Sequence, residues 1–112
     1  MNRLVELLTR LMEASADLPD PEVEPEVVLA AAEHMMEMRR QAFDELKLTL
    51  ESGAAVDADV RKAASQLQGV DSAWAARMQA AMNTLATRMV GARRLKASLY
   101  AQRQGKHAAI QV

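Results

Sequence analysis

An all-α fold, an antiparallel helical bundle or hairpin of three to four helices with a long C-terminal one, is what this 112-residue sequence predicts. Three observations carry that expectation. Aromatic residues are 3% of the chain, Phe43, Trp74 and Tyr100, while Met reaches eight, so the core must be built from Leu, Met, Val and Ala, largely helix formers. The period-two runs of β-branched and aromatic residues expected of strands are missing. Apolar residues recur instead at spacings of three and four. The length predicts one domain, 1–112, able to bury roughly two-thirds of its unfolded surface. The absence of Cys removes disulfides and thiolate metal sites. No run approaches the ~18 to 20 uncharged apolar residues of a membrane span, and no basic region leads into an apolar block as in a cleaved signal.

The first element is a short amphipathic helix over residues 2 to 16, with Leu4, Leu7, Leu8, Leu11 and Met12 on one face. Three prolines between residues 19 and 25 then remove donors and bias each preceding residue away from the helical region, which predicts an extended, mobile linker over 17–25. Pro25 suits the first turn of the next helix, where Glu24 and Glu26 complement the positive end of the dipole. From Pro25 to Glu51 the positions Val28, Ala31, Ala32, Met35, Met36, Met38, Ala42, Phe43, Leu46 and Leu50 keep a helical stripe, and Ser52-Gly53 stops it. Asp57 or Asp59 can cap a third helix with Val60, Ala63, Ala64 and Leu67 on its buried side. Gly69, followed by Asp71 and Ser72, predicts a turn or kink. The last helix runs from about Ser72 to Gln104, with Trp74, Met78, Met82, Leu85, Met89, Ala92, Leu95 and Leu99 repeating mostly at three and four, and a frayed tail over 105–112. Without a bend, residues 59 to 104 would form a helix ~69 Å long, more than a compact domain this small spans.

The formal charge of -1 conceals an uneven distribution. Leu11 to Met38 holds eight acids and no base, whereas Arg88 to Val112 holds six bases and no acid. Either these segments lie side by side in an antiparallel bundle, or one of them awaits a charged partner.

Catalysis is not expected. His34 lies one helical turn from Glu37, the spacing of half a metal site, but the Glu-x-x-His pairs of carboxylate bundle proteins and the zincin His-Glu-x-x-His are absent, and His107 falls in the tail. No Gly-rich phosphate loop or Gly-x-Ser-x-Gly elbow occurs. No metal or cofactor is therefore assigned. Nucleic acid is a weak candidate: Arg93, Arg94 and Lys96 suit phosphates, yet a pI near 6.1 and the acidic front half oppose a polyanion.

Methionine points elsewhere. Met35, Met36 and Met38 span a wider arc than one neighbouring helix covers, and Met78, Met82 and Met89 line the last helix. Flexible thioethers suit surfaces that adapt to another helix, either a client's or a second copy's.

From Met35 to Tyr100 the arrangement resembles the small flagellar type III export chaperones of the FliT and FlgN kind. The resemblance rests on a helix ending Ala42-Phe43-Asp44-Glu45-Leu46 through Leu50-Glu51-Ser52-Gly53, a short connecting helix, and a long helix opening near Val70-Asp71. That helix closes with Met89-Val90-Gly91-Ala92-Arg93-Arg94-Leu95-Lys96-Ala97-Ser98-Leu99-Tyr100. The Leu-rich leading helix and the Pro-rich linker depart from the family's pattern. The resemblance implies a cytoplasmic, non-enzymatic chaperone that holds the C-terminal helical segment of a filament-cap or hook-associated subunit and delivers it to the export ATPase complex. Partner binding would then fall to Met82, Leu85, Met89, Leu95 and Leu99, with Arg93, Arg94 and Lys96 steering acidic partners. A mobile helix from Leu4 to Met12 would cover that groove until displaced. The alternatives are a structural or regulatory homodimer and, less favoured, a nucleic-acid-associated protein.

Overall fold

The computed structural model describes the backbone of residues 2–110 and the side chains of residues 2–102. It contains three helices, α1 (Arg3–Ala14), α2 (Pro25–Glu51) and α3 (Ala58–Ile110), and no strand among the described residues. The chain divides into two compact units, Met1–Ala81 and Met82–Val112.

In the first unit the helix ends are set by local chemistry. Asn2 caps α1 by accepting the Leu4 amide at 3.0 Å. Asp57, rather than Asp59, caps α3 by accepting the Val60 amide at 2.9 Å. The Asn2 amide also donates to the Asp57 carboxylate at 3.1 Å, so the starts of α1 and α3 are tied together. Arg3 pairs with Glu45, which sets the start of α1 against the end of α2. Thus α1 runs antiparallel to α2 and parallel to the first turns of α3. Pro25 occupies the first turn of α2, and Gly53, with φ of 88°, turns the chain just beyond its end.

Two apolar clusters fill the interior. Leu4, Leu8 and Leu11 of α1 meet Ala42 of α2 and Val60, Ala63 and Leu67 of α3. Where α1 ends, Ala32 and Met35 of α2 pack on Trp74 of α3, with Leu18 of the connecting segment against them. Each buried Leu of α1 contributes about 1.5 to 3 kcal/mol relative to exposure. The Trp74 indole donates to the Ser15 carbonyl at 2.8 Å, while the buried Ser15 hydroxyl donates to the Leu11 carbonyl at 2.7 Å. The polar groups at the end of α1 are thereby satisfied inside the core. Arg39 of α2 closes the same region with two contacts to Asp71 of α3, at 2.7 and 3.4 Å.

Several expectations change. Gly69 makes no turn and does not interrupt the helix, and the predicted connecting helix is the first part of α3. Leu67 and Trp74 are buried on either side of Gly69, and Val70 and Asp71 pack or pair immediately after it. These contacts outweigh the ~1 kcal/mol that Gly costs in a helix interior. The linker is anchored through Ser15, Leu18 and the buried Pro25 instead of being a loose tether. The helix from Leu4 to Met12 is a wall of the first unit's core, packed against Ala42, Val60, Ala63 and Leu67, rather than a loosely tethered cover. The backbone of α3 is helical past Gln104 to Ile110, and the side chains of Arg103, Lys106 and His107 lie outside those described.

Candidate partner-binding surface

The second unit begins where full burial ends. Among the described side chains, Ala81 is the last buried residue of α3, and none from Met82 to Gln102 is fully buried. Leu85 is half-buried, while Met82, Met89, Leu95 and Leu99 are 46%, 57%, 63% and 52% exposed. At about 100° per residue, Met82, Leu85, Met89 and Leu99 fall within roughly 100° of arc. Lys96 lies in the middle of that arc, and Arg93 and Leu95 lie at its two margins. Arg94 is on the far side of the helix from that arc. A shallow depression of about 640 Å³ is lined by Arg93, Leu95, Lys96, Leu99 and Tyr100 together with Ala92 and Ala97.

Charge separates this surface from the rest of the chain. Residues 82–112 carry six Lys and Arg and no acid, whereas residues 1–81 carry fifteen acids and eight bases. Such a surface offers apolar contact area on a segment whose charged residues are all basic. It favours a helix with an acidic polar face over one with a basic face.

A second surface includes Met36, which the sequence marks as part of a methionine arc too wide for one neighbouring helix, and extends it to residues outside that cluster. On the outside of α2, Met36, Phe43 and Leu50 are 50%, 54% and 45% exposed, with Leu29 half-buried in line with them. Its signal is the seven-residue spacing of 29, 36, 43 and 50. Periodicity alone assigns all but Leu29 to the core, because they sit at the edge of the same apolar arc as Val28, Ala32, Met35 and Ala42. His34 is exposed on α2, and no group of three or more His, Asp or Glu among the described residues is placed to hold a metal. Among the described residues, no helix is long and apolar enough to cross a membrane.

No protein-family model matches this chain, and neither a curated protein nor a solved structure shows significant similarity to it. The geometry of its surfaces therefore carries the functional argument.

Proposed function

We propose that this protein is a helix-binding chaperone that holds an acidic amphipathic helix of a client on the stripe formed by Met82, Leu85, Met89 and Leu99. One observation carries this reading: half-exposed apolar side chains continue for five turns of α3 beside bases alone. Covering them with a partner helix returns roughly 25 cal/mol per Å² of apolar surface removed from water. Lys96 and Arg93 select acidic partners and speed their encounter. The assignment to flagellar export, with a filament-cap or hook-associated subunit as client, delivery to the export ATPase complex and a cytoplasmic setting, is supported by the sequence resemblance over residues 35–100.

Fluorescence anisotropy with two labelled amphipathic peptides of equal length tests the reading. The peptides share an apolar face and differ only in carrying acidic or basic polar faces. The acidic peptide binds, the basic one binds at least about tenfold more weakly, and Met89→Glu with Leu99→Glu abolishes binding. Equal affinity for the two peptides, or no binding of either, refutes the proposal. Capture of the C-terminal helix of a flagellar cap or hook-associated subunit then tests the narrower assignment.

A further inference from the structure

We infer that the outer face of α2 is a docking site for the basic segment 82–102 of α3 from a second copy of this chain. Residues seven apart on a helix deviate by only about 20°, so Leu29, Met36, Phe43 and Leu50 form one line of about 32 Å along α2. Within the first unit, the packing of α2 on α1 and α3 uses Ala32, Met35 and Ala42, which leaves that line outside both core clusters. Around Met36 and Phe43 lies a depression of about 520 Å³ formed by α2 alone, with Glu33, Glu37 and Asp44 in its lining. Of the two bases that also line it, Arg39 is engaged by Asp71 and Arg40 lies 3.6 Å from Glu37.

This surface requires a particular occupant: a helix of about six turns with apolar side chains at spacings of three and four and a basic polar face. An acidic helix would be repelled by Glu33, Glu37 and Asp44. The segment 82–102 meets each requirement. It presents Met82, Leu85, Met89 and Leu99 on one face, and it carries four bases and no acid. Its 21 residues match the span of the line from Leu29 to Leu50. The two complementary surfaces belong to the same sequence, so each copy can give one helix and receive one, and such a reciprocal exchange can close as a two-fold dimer.

Sedimentation of the full chain across protein concentrations and salt, combined with cysteine pairing, tests this inference. The chain has no native Cys, so single substitutions report without background. Because Met36 and Phe43 straddle the centre of the α2 line, Met89 lies opposite one or the other in either helix direction. Full-length Met89→Cys chains, mixed with Met36→Cys or Phe43→Cys chains under mild oxidation, give a mixed disulfide dimer with one of the two faster than any chain pairs with its own kind. The association constant falls about tenfold or more in Phe43→Glu and in the Glu33→Lys, Glu37→Lys, Asp44→Lys triple variant, and it falls with added salt. All the substituted residues are solvent-exposed, and an unchanged circular dichroism spectrum confirms folding. A monomer at every concentration, a dimer indifferent to these substitutions, or disulfides only between like chains overturns the inference. The exchange and client binding compete for the same stripe, so a monomer that still binds the acidic peptide refutes the exchange alone.

Discussion

The same helix, α3, behaves differently in the two units of this chain. Up to Ala81 its apolar positions Val60, Ala63, Leu67, Trp74 and Ala81 are buried, the first four of them in clusters with residues of α1 or α2. Beyond Ala81 the apolar spacing continues through Leu85, Met89, Ala92 and Leu99, yet none of these side chains is fully buried. Composition changes at the same place, from fifteen acids and eight bases to six bases with no acid. The contrast shows that helical periodicity announces a face that will be covered without saying which molecule covers it. In the first unit the chain supplies its own cover, and in the second the stripe remains open to a partner.

The strongest way to break this comparison is to truncate equivalent leucines in the two units. Leu11 is fully buried in the first apolar cluster, and Leu11→Ala removes its packing and leaves a cavity. Urea titration is expected to show a loss of about 2 to 5 kcal/mol. Leu95 is 63% exposed, and Leu95→Ala should leave the stability within about 0.5 kcal/mol of the parent. A large loss at Leu95 would mean that its apolar face is already covered in solution, and concentration dependence of that loss would identify the cover as another copy.

A smaller effect sharpens what makes the first unit self-sufficient. Trp74→Phe keeps most of the ring volume but removes the indole N–H that satisfies the Ser15 carbonyl. The expected cost is about 1 to 3 kcal/mol, and it should fall on the end of α1, because that carbonyl is left buried without its donor. Hydrogen exchange at the amides of residues 12–18 checks the location. Uniform acceleration across all three helices, with no excess at the end of α1, would show that Trp74 acts through ring packing alone.

Much of this architecture is legible in the amino-acid sequence, because local rules and tertiary packing agree on the bounds of α1 and α2. The four leucines of α1, the Pro25 start of α2 and its stop at Ser52-Gly53 follow from amphipathicity, proline at the first turn and a glycine able to take positive φ. The break expected at Gly69 does not form, because its weak propensity is opposed by Trp74, Val70 and the Arg39–Asp71 pair, whose contacts exist only in the tertiary fold. The anchoring of the linker is hidden for the same reason, since nothing local reveals that Ser15 accepts a hydrogen bond from a residue 59 positions later. At the candidate surface, the stripe from Met82 to Leu99 is legible as periodicity. Arg94 groups with its neighbours only along the chain, because one step of about 100° carries it to another face. On α2 the methionine arc is legible as too wide for one neighbour, but only packing distinguishes Met35, which is buried, from Met36, which is not.

The finest test uses two glycines in equivalent local settings. Gly69 and Gly91 both lie inside α3, and a methyl group added at either meets nothing within 4 Å. The gain in helix propensity from Gly to Ala is therefore about 0.8 to 1 kcal/mol at each site. The gains should be expressed differently. Gly69→Ala lies between the two clusters of the first unit, so it should raise the urea midpoint of global unfolding by close to the full amount. Gly91→Ala stabilises a helix with no buried side chain around it, which opens without disrupting those clusters. Its gain should appear as slower amide exchange near residues 88–95, with the global midpoint unchanged. If Gly91→Ala shifts the global midpoint as much as Gly69→Ala, the last turns of α3 unfold together with the three-helix core. The open stripe would then be an integral part of the cooperative fold, and a partner would find it already rigid.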